Sequence, residues 1–340
     1  MDTSLQYLRQ QIRQAADEGY ALTVRGGGSK DFYGEPVRPA AILDTRIHSG
    51  ITAYDPDELV ITAKAGTPLA EIEAALAERR QILPFEPPHF GAGATLGGAV
   101  ACSLAGPGRA HFGAVRDFVL GCRLIDGCGQ VLDFGGRVVK NVAGYDIHKT
   151  MAGAMGTLGV LAEVSLKVLP APEREITLQF ECSAAAARGM LHAWMGHPLP
   201  LTAGFWDNGA LFVRLGGSTA GVEAAASRLG GERLDRRINA DLWLAVREQL
   251  LPAFRPSENE DVRLWRVSVP DTAPELELDE HFVWNGAAAC VGTKPACLQM
   301  KSVPPHLKPA GMPHCSAVRC RPVKPLLPCR RKTCSVSSVG

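Results

Sequence analysis

The sequence predicts an α+β protein built in two folded parts and ending in a tail. Three observations carry this. Glycine-rich turns punctuate short helices and strands up to Pro170, a strand, helix, strand rhythm runs from Ile176 to Leu229, and periodicity is lost beyond Cys290. With 340 residues, 46% of them hydrophobic, the chain can bury a core without disulfides or metal.

Leu5, Leu8, Ile12 and Ala16 recur at helical spacing. Ala21 to Arg25 then reads as a strand entering the Gly26-Gly27-Gly28 turn, with further strands at Ala41 to Leu43 and Leu59 to Ala63. Thr67 and Pro68 stand where an N-cap and first helical residue belong, ahead of Leu69, Ile72, Ala75 and Leu76, so a first α+β unit is expected to close near Leu83. Phe85 to Gly98 is loop-like, and Thr95 is placed to cap a helix through Gly98 to Leu104. Phe118 to Ile125 and Val131 to Phe134 flank Asp126-Gly127-Cys128-Gly129 as a hairpin, and Val160 to Val168 closes a second unit at Pro170. Ile176 to Phe180, Ala184 to Met195, Ala210 to Leu215 and Ala220 to Leu229 give an open sheet backed by helices. A helix over Leu242 to Leu251 and strands at Val262 to Val269 and His281 to Trp284 complete it. The expected domains are thus 1–172, 173–290 and a tail, 291–340.

The formal charge of +1 conceals an asymmetry: the last fifty residues hold nine Lys or Arg and no acid, leaving −8 on residues 1–290. An acidic body argues against nucleic acid as its partner. Five of the ten cysteines also fall in the tail, and the five in the body (Cys102, Cys122, Cys128, Cys182, Cys290) show no metal or disulfide pattern. The N-terminus lacks the apolar core of a signal peptide, and the Gly91 to Ala105 run is too short and glycine-rich to span a bilayer. A cytoplasmic protein is expected, touching membrane only through partners. The tail's eight prolines and scarce large apolar groups predict disorder. So abrupt a break in composition suits a change of reading frame in the source sequence, as against a genuine extension or a tail for an anionic partner.

Four segments could hold a ligand through their main chain. Arg25-Gly26-Gly27-Gly28-Ser29-Lys30 offers unencumbered amides between two cations, suited to a pyrophosphate. Ala94-Thr95-Leu96-Gly97-Gly98 follows Pro88, and its glycines serve either a flat ring or close helix packing. In the third, Arg109 or His111 could stabilise a reduced ring, with Gly113, Arg116 and Asp117 alongside as a loop contact. The fourth joins Lys140, Asn141, Gly144 and Tyr145 to Gly156, Gly159 and Val160. Each alone reads equally as structure; their succession carries the signal.

That succession, RGGGSK, ATLGG, FGAVRDFVLG, KNVAGYD and GTLGVLAEVSLKVLP, resembles the vanillyl-alcohol-oxidase (PCMH-type) FAD-binding family. The phrases TAYDPDELVITAKAGTPLAEIEAAL, LPFEPPHFG and GGRVVKNVAGYDIHKTMAGAMGTLGVL are similar to FAD-binding subunits of bacterial glycolate oxidases, over roughly residues 5–289. The resemblance implies an FAD domain of two α+β lobes followed by a truncated cap, since nothing after Cys290 resembles the closing segment of such proteins. It implies FAD with its pyrophosphate on Arg25 to Lys30, the 94–98 loop along the ring, and Gly156 to Val160 near the adenine. Ser29 stands where some relatives attach FAD through a histidine, so noncovalent FAD is expected. The implied partners are a homologous flavin-bearing subunit and an iron-sulfur subunit, and the implied substrate is glycolate or another small 2-hydroxy acid. His111, His148 and His281 are the histidines offered as general base, with no catalytic residue assigned. The alternatives are a flavin relay or assembly subunit and a different FAD reaction, such as D-lactate oxidation or reduction of a cell-wall precursor.

Overall fold

The computed structural model describes residues 2–34, 41–136 and 145–254, and four strands beyond them at 263–268, 282–285, 288–293 and 321–323. Helix α1 (Thr3–Glu18) begins at Asp2, whose carboxylate accepts the Ser4 N–H, and ends at Gly19 in the left-handed region. It buries Leu5, Leu8, Ile12 and Ala15, whereas Ala16, expected on this face, is exposed. Opposite it lie Leu43 of the parallel pair β1 (Leu22–Arg25) and β2 (Ala41–Asp44), together with Ile125, Val160 and Ala162. The helix therefore seals the seam between two sheets.

The second sheet is antiparallel, in the order β3 (Ile51–Asp55), β4 (Val60–Lys64), β8 (Val160–Lys167), β6 (Val119–Ile125), β7 (Val131–Gly135). Strand β3 escaped the sequence reading because it is a five-residue edge strand with a register shift and no fully buried residue. The expected break near Leu83 is not where the sheets divide: β3 and β4 pair into the same sheet as β6 to β8, leaving α1, β1 and β2 as the smaller lobe. A short pair, β5 (Gln81–Ile82) with β9 (Leu169–Pro170), ties the end of α2 (Leu69–Glu78) to the end of β8.

Helices α2 and α3 (Leu96–Cys102) cover this sheet with Leu69, Ile72, Leu76, Leu96 and Val100 against Ile61, Val119, Val164 and Leu166. Pro68, not Thr67, occupies the N-cap of α2. The Thr67 hydroxyl instead donates to the Lys64 carbonyl at 2.7 Å and accepts the Gly50 N–H at 2.9 Å, because its side chain turns inward to close the preceding loop. Thr95 does cap α3, accepting the Gly98 N–H at 3.3 Å. Two short helices, α4 (Arg109–Phe112) and α5 (Val115–Phe118), lead into β6, and α6 (Ile147–Met151) packs behind it.

The last sheet has eight antiparallel strands, in the order β13 (Glu232–Arg233), β10 (Arg174–Glu181), β12 (Ala210–Gly217), β11 (Leu201–Asp207), β15 (Phe282–Asn285), β16 (Ala288–Thr293), β14 (Arg263–Ser268), β17 (Arg321–Val323). Helices α7 (Ala184–Met195) and α8 (Thr219–Leu229) cover one face, against Leu178, Leu211, Val213 and Leu215. Helix α9 (Arg236–Arg247) covers the other, with Trp243 and Val246 against Ala203, Phe205 and Phe254. A bulge between Leu201 and Ala203 moves β11 from one face to the other. That shift erases its alternation, so the sequence does not show the strand. Helix α9 starts six residues earlier than expected because Asp235 caps it, accepting the Arg237 N–H at 2.8 Å. Of the tail, residues 291–293 and 321–323 are strand, contrary to the expected disorder at those positions. The remainder of the tail lies outside the described residues.

Asp2 also pairs with Lys64 at 2.6 Å, joining the start of α1 to β4. The Lys64 ammonium, then the Ser4 hydroxyl, hold its carboxyl well below the usual carboxylate range. A lowered folded-state value means that its stabilisation is present above about pH 4 and is lost as acid protonates the folded form. Asp2→Ala is expected to cost about 1 kcal/mol at pH 7 through the lost cap and pair. Urea denaturation should show the gap between wild type and variant closing as the pH falls below about 4.

Candidate functional site

The turn after β1 is shaped by what its glycines touch. A Cβ on Gly27 would overlap the Gly93 carbonyl oxygen, and one on Gly26 would overlap the Thr95 hydroxyl. The first glycine segment, almost seventy residues away in sequence, is therefore in direct contact with the start of the second, through the Gly93 backbone that leads into it and the Thr95 hydroxyl. Gly28, at φ +72°, turns the chain beneath the Arg25 guanidinium. Arg25 is committed to Asp31, with Nη2 to Oδ2 at 2.6 Å and Nε donating at 2.8 Å. It braces the turn from outside.

Lys30 is the other cation of the turn, and it points inward at 8% exposure. Its ammonium donates to the His89 carbonyl at 3.3 Å and to the Ser29 hydroxyl at 3.4 Å, and sits 5.7 Å from the centre of the Phe90 ring. Both hydrogen bonds are long, and among the described residues no carboxylate pairs with it. Burial pushes the ammonium below the usual lysine range, with Cys102 and Glu248 acting the other way. A buried cation beside amides of a side-chain-free turn is a donor set for an anion.

The wall opposite Lys30 is the 86–93 segment. Phe90 lies at φ +52° and Glu86 at φ +44°, a region non-glycine residues seldom adopt. Phe32 meets Phe90 edge-on with ring centres 5.2 Å apart. Glu248, at the end of α9, accepts the His89 and Phe90 N–H groups, the latter at 2.7 Å. Glu86 accepts the Gly108 N–H at 2.6 Å and pairs with Arg214 of β12, also at 2.6 Å. Arg214 is buried, lies 5.0 Å from the Trp243 ring, donates to Thr202 Oγ1 at 3.0 Å, and stands 3.8 Å from Glu175. Burial pushes the Glu175 carboxyl up, with Arg214 opposing. The segment beside Lys30 is thus held by two carboxylates tied to the large sheet. Glu86, Arg214 and Glu248 were not singled out from sequence. The one available signal was Arg214 itself, a lone charge between the apolar Val213 and Leu215 of a strand.

The structure places the remaining candidates as follows. Pro88 is buried in the wall segment. Ala94 and Gly97 are buried, and their backbones are engaged within the fold: the Ala94 carbonyl accepts Leu69 N–H, and Gly97 N–H donates to Ala65 at 2.7 Å. Gly97 therefore seats α3 on its sheet, the packing alternative, while Gly98 fills the Thr95 cap. Gly156 packs on Val24 of β1 and Met155 on Gly34, which brings the Gly153 to Gly159 segment to the same lobe as the first turn. Gly159 abuts the Ile125 carbonyl, and the Val160 side chain is in the core beneath α1. Arg109 is exposed on α4, and Asp117 closes the Gly113 turn by accepting the Ala114 N–H at 2.8 Å. Arg116 is exposed beside it, and Tyr145 stands in solvent at 93% exposure. Lys140, Asn141 and Gly144 lie outside the described residues. Of the candidate bases, His148 is buried against Gly135 with Nδ1 lacking a partner, and burial lowers its basicity. His111 packs edge-on to Phe112, and His281 lies outside the described residues. Among the described residues no cluster could hold a metal ion, and no helix is long and apolar enough to cross a membrane.

A family model described as an FAD binding domain matches residues 3–135, which contain the first two glycine segments and Lys30. The glycolate oxidase subunit GlcE of Escherichia coli (strain K12) is 47% identical over 284 residues, covering 83% of this chain and 79% of that protein. The glycolate oxidase subunit GlcD of Bacillus subtilis (strain 168) is 28% identical over 195 residues, covering 56% of this chain and 41% of that protein. Among solved structures, an alkyldihydroxyacetonephosphate synthase superposes with a TM-score of 0.58 at 16% identity, over 77% of this chain and 58% of the synthase, a likeness of fold alone. 

Because the Gly27 to Gly93 contact leaves no room for a methyl group, Gly27→Ala is expected to part the two segments. A loss of about 1–3 kcal/mol in urea denaturation is anticipated. Gly127→Ala, in a hairpin turn with open space around it, serves as the control and should cost far less.

Proposed function

The chain belongs to the family of the glycolate oxidase subunit GlcE, and from that premise we propose that it is the FAD-binding subunit of a complex that oxidises glycolate to glyoxylate. The observation that carries the reading is the meeting of the first two glycine segments around one buried, weakly engaged lysine, within the stretch matched by the FAD binding domain model. The residues fit the group: the Gly26 to Ser29 turn and Lys30 would take the pyrophosphate, and the Thr95 to Gly98 turn would lie along the nucleotide. The Gly156 segment, packed on Val24 of the same lobe, would serve the adenine side, with Pro88, Arg109, Gly113, Asp117, Lys140, Asn141, Gly144, Tyr145, Gly159 and Val160 completing the proposed contacts. When bound, FAD supplies the acceptor for the hydride leaving the 2-hydroxy acid carbon.

Ser29 supports noncovalent binding, since its hydroxyl stands next to the glycines where a histidine would be needed for attachment. The proposed organisation is an FAD domain over 1–172, a cap over 173–290 and a tail over 291–340. The described cysteines show no cluster-ligand arrangement, which supports an iron-sulfur partner taking the electrons onward, alongside a homologous flavin subunit. A cytoplasmic location, with membrane contact only through the complex, accords with the acidic body. The second reading, a flavin relay whose sister subunit performs the chemistry, is favoured by one observation: His148, the better buried of the two described candidate bases, lies against β7 rather than at the glycine turns.

The test is anaerobic. Purified protein should be yellow, and acid precipitation should leave the flavin in the supernatant. Addition of glycolate should bleach the flavin of the assembled complex. Bleaching of the isolated subunit assigns catalysis to it, and bleaching only beside its sister assigns the relay. Colourless protein that takes up no FAD, alone or assembled, overturns the proposal.

A further inference from the structure

Glu248 lies far outside the stretch matched by the FAD binding domain model, at the end of a helix that packs on the other sheet. A carboxylate at a helix C-terminus faces the negative end of the dipole and is not there for the sake of the helix. Its oxygens point instead across to the 86–93 segment. Both accept the His89 N–H at 3.1 Å, and Oε2 accepts the Phe90 N–H at 2.7 Å. Arg247 steadies it, Nε donating to Oε1 at 2.9 Å, and also reaches Glu73 of α2 at 3.6 Å. Two consecutive amides bound to one carboxylate hold Phe90 in its left-handed conformation, which an unrestrained phenylalanine would leave. Those same two residues form the environment of Lys30: the His89 carbonyl accepts its ammonium, and the Phe90 ring lies beneath it.

We propose that Glu248 is a positioning residue for the flavin nucleotide, fixing the His89 to Phe90 turn and through it the Lys30 ammonium assigned above to the pyrophosphate. The inference rests on the FAD reading and deepens it: cofactor affinity is set in part from the cap, by a residue that touches only the main chain of the segment beside Lys30. Glu248 also brings a negative charge toward this buried ammonium, which offsets part of the burial that lowers its basicity.

The experiment uses the full chain, stripped of flavin and titrated with FAD by fluorescence quenching. Wild type is compared with Glu248→Ala, Glu248→Gln, Lys30→Met and both double variants. Glu248→Ala should raise the Kd for FAD roughly tenfold, and Glu248→Gln, which keeps a carbonyl acceptor, should recover part of that loss. In the Lys30→Met background either Glu248 change should add about twofold or less, because the two residues act in series. Unchanged FAD affinity in Glu248→Ala, or the full loss repeated on Lys30→Met, overturns the inference. Should Glu248→Ala fail to melt cooperatively without flavin, the Glu248→Gln cycle with Lys30→Met decides by the same criteria. Wild type that binds no FAD overturns the parent reading and this one together, whereas binding by wild type and Glu248→Ala alike overturns this one alone.

Discussion

The contact on which the site depends is made without side chains. Gly27 and Gly93 approach so closely that any Cβ on the first would occupy the carbonyl of the second. Main chain can approach main chain in this way here only because Gly27 carries no side chain. The consequence reaches beyond sterics. Because the two turns are pressed together, the first turn lies beside the cap of α3, and Lys30, next along the chain, is buried against His89 and Phe90. A bulky residue at Gly27 would separate the pieces and disturb the surroundings of the buried cation.

Around that contact the charges are assigned in pairs, and the pairing decides which cation is available. Arg25 closes on Asp31, Lys64 on Asp2, and Arg214 on Glu86 with Glu175 nearby. A buried cation paired with a partly buried carboxylate, as Arg214 is with Glu86, is not a strong source of stability, since desolvation offsets most of the attraction. Removing one partner is another matter, because it leaves a charge buried alone. Their contribution is geometric: Arg214 fixes Glu86, Glu86 fixes the Gly108 amide, and the start of α4 is set against β11. Lys30 differs in that its hydrogen bonds, to the Ser29 hydroxyl and the His89 carbonyl, are long and made to neutral acceptors, and among the described residues no carboxylate is paired with it.

The sequence was most legible where local chemistry fixes the backbone. Thr95 as a helix cap, the Asp126 hairpin turn and the face of α1 down to Ile12 all follow from short-range rules, and they appear in the structure. The glycine turns were visible as turns, and their order pointed to the family. That they touch was not visible, because residues 27 and 93 are far apart in the chain and no local rule pairs one glycine turn with another. Strand β11 was hidden for a different reason, its bulge exchanging the two faces midway. Thr67 shows the limit of capping logic, since a hydroxyl suited to accept a helix N–H instead accepts the Gly50 N–H and donates to the Lys64 carbonyl in the loop before it.

Glu86, Arg214 and Glu248 were illegible for a different reason. Each is one charged residue among many, and what distinguishes it is a partner more than a hundred residues away or a backbone amide with no sequence signature. Such residues are where the two parts of the chain exert force on each other. A carboxylate that binds main-chain N–H groups constrains position without constraining which side chains it holds, so the segment beside Lys30 can vary in sequence while keeping its path. The strained conformations at Glu86 and Phe90 fit this view: they persist because contacts from the larger sheet over-determine them, one at each end of the same loop. The surroundings of Lys30 are therefore not a property of the first 135 residues alone. They are completed from outside by a strand and a helix that contribute charge at two fixed points of the 86–93 segment, Arg214 at Glu86 and Glu248 at the His89 and Phe90 amides.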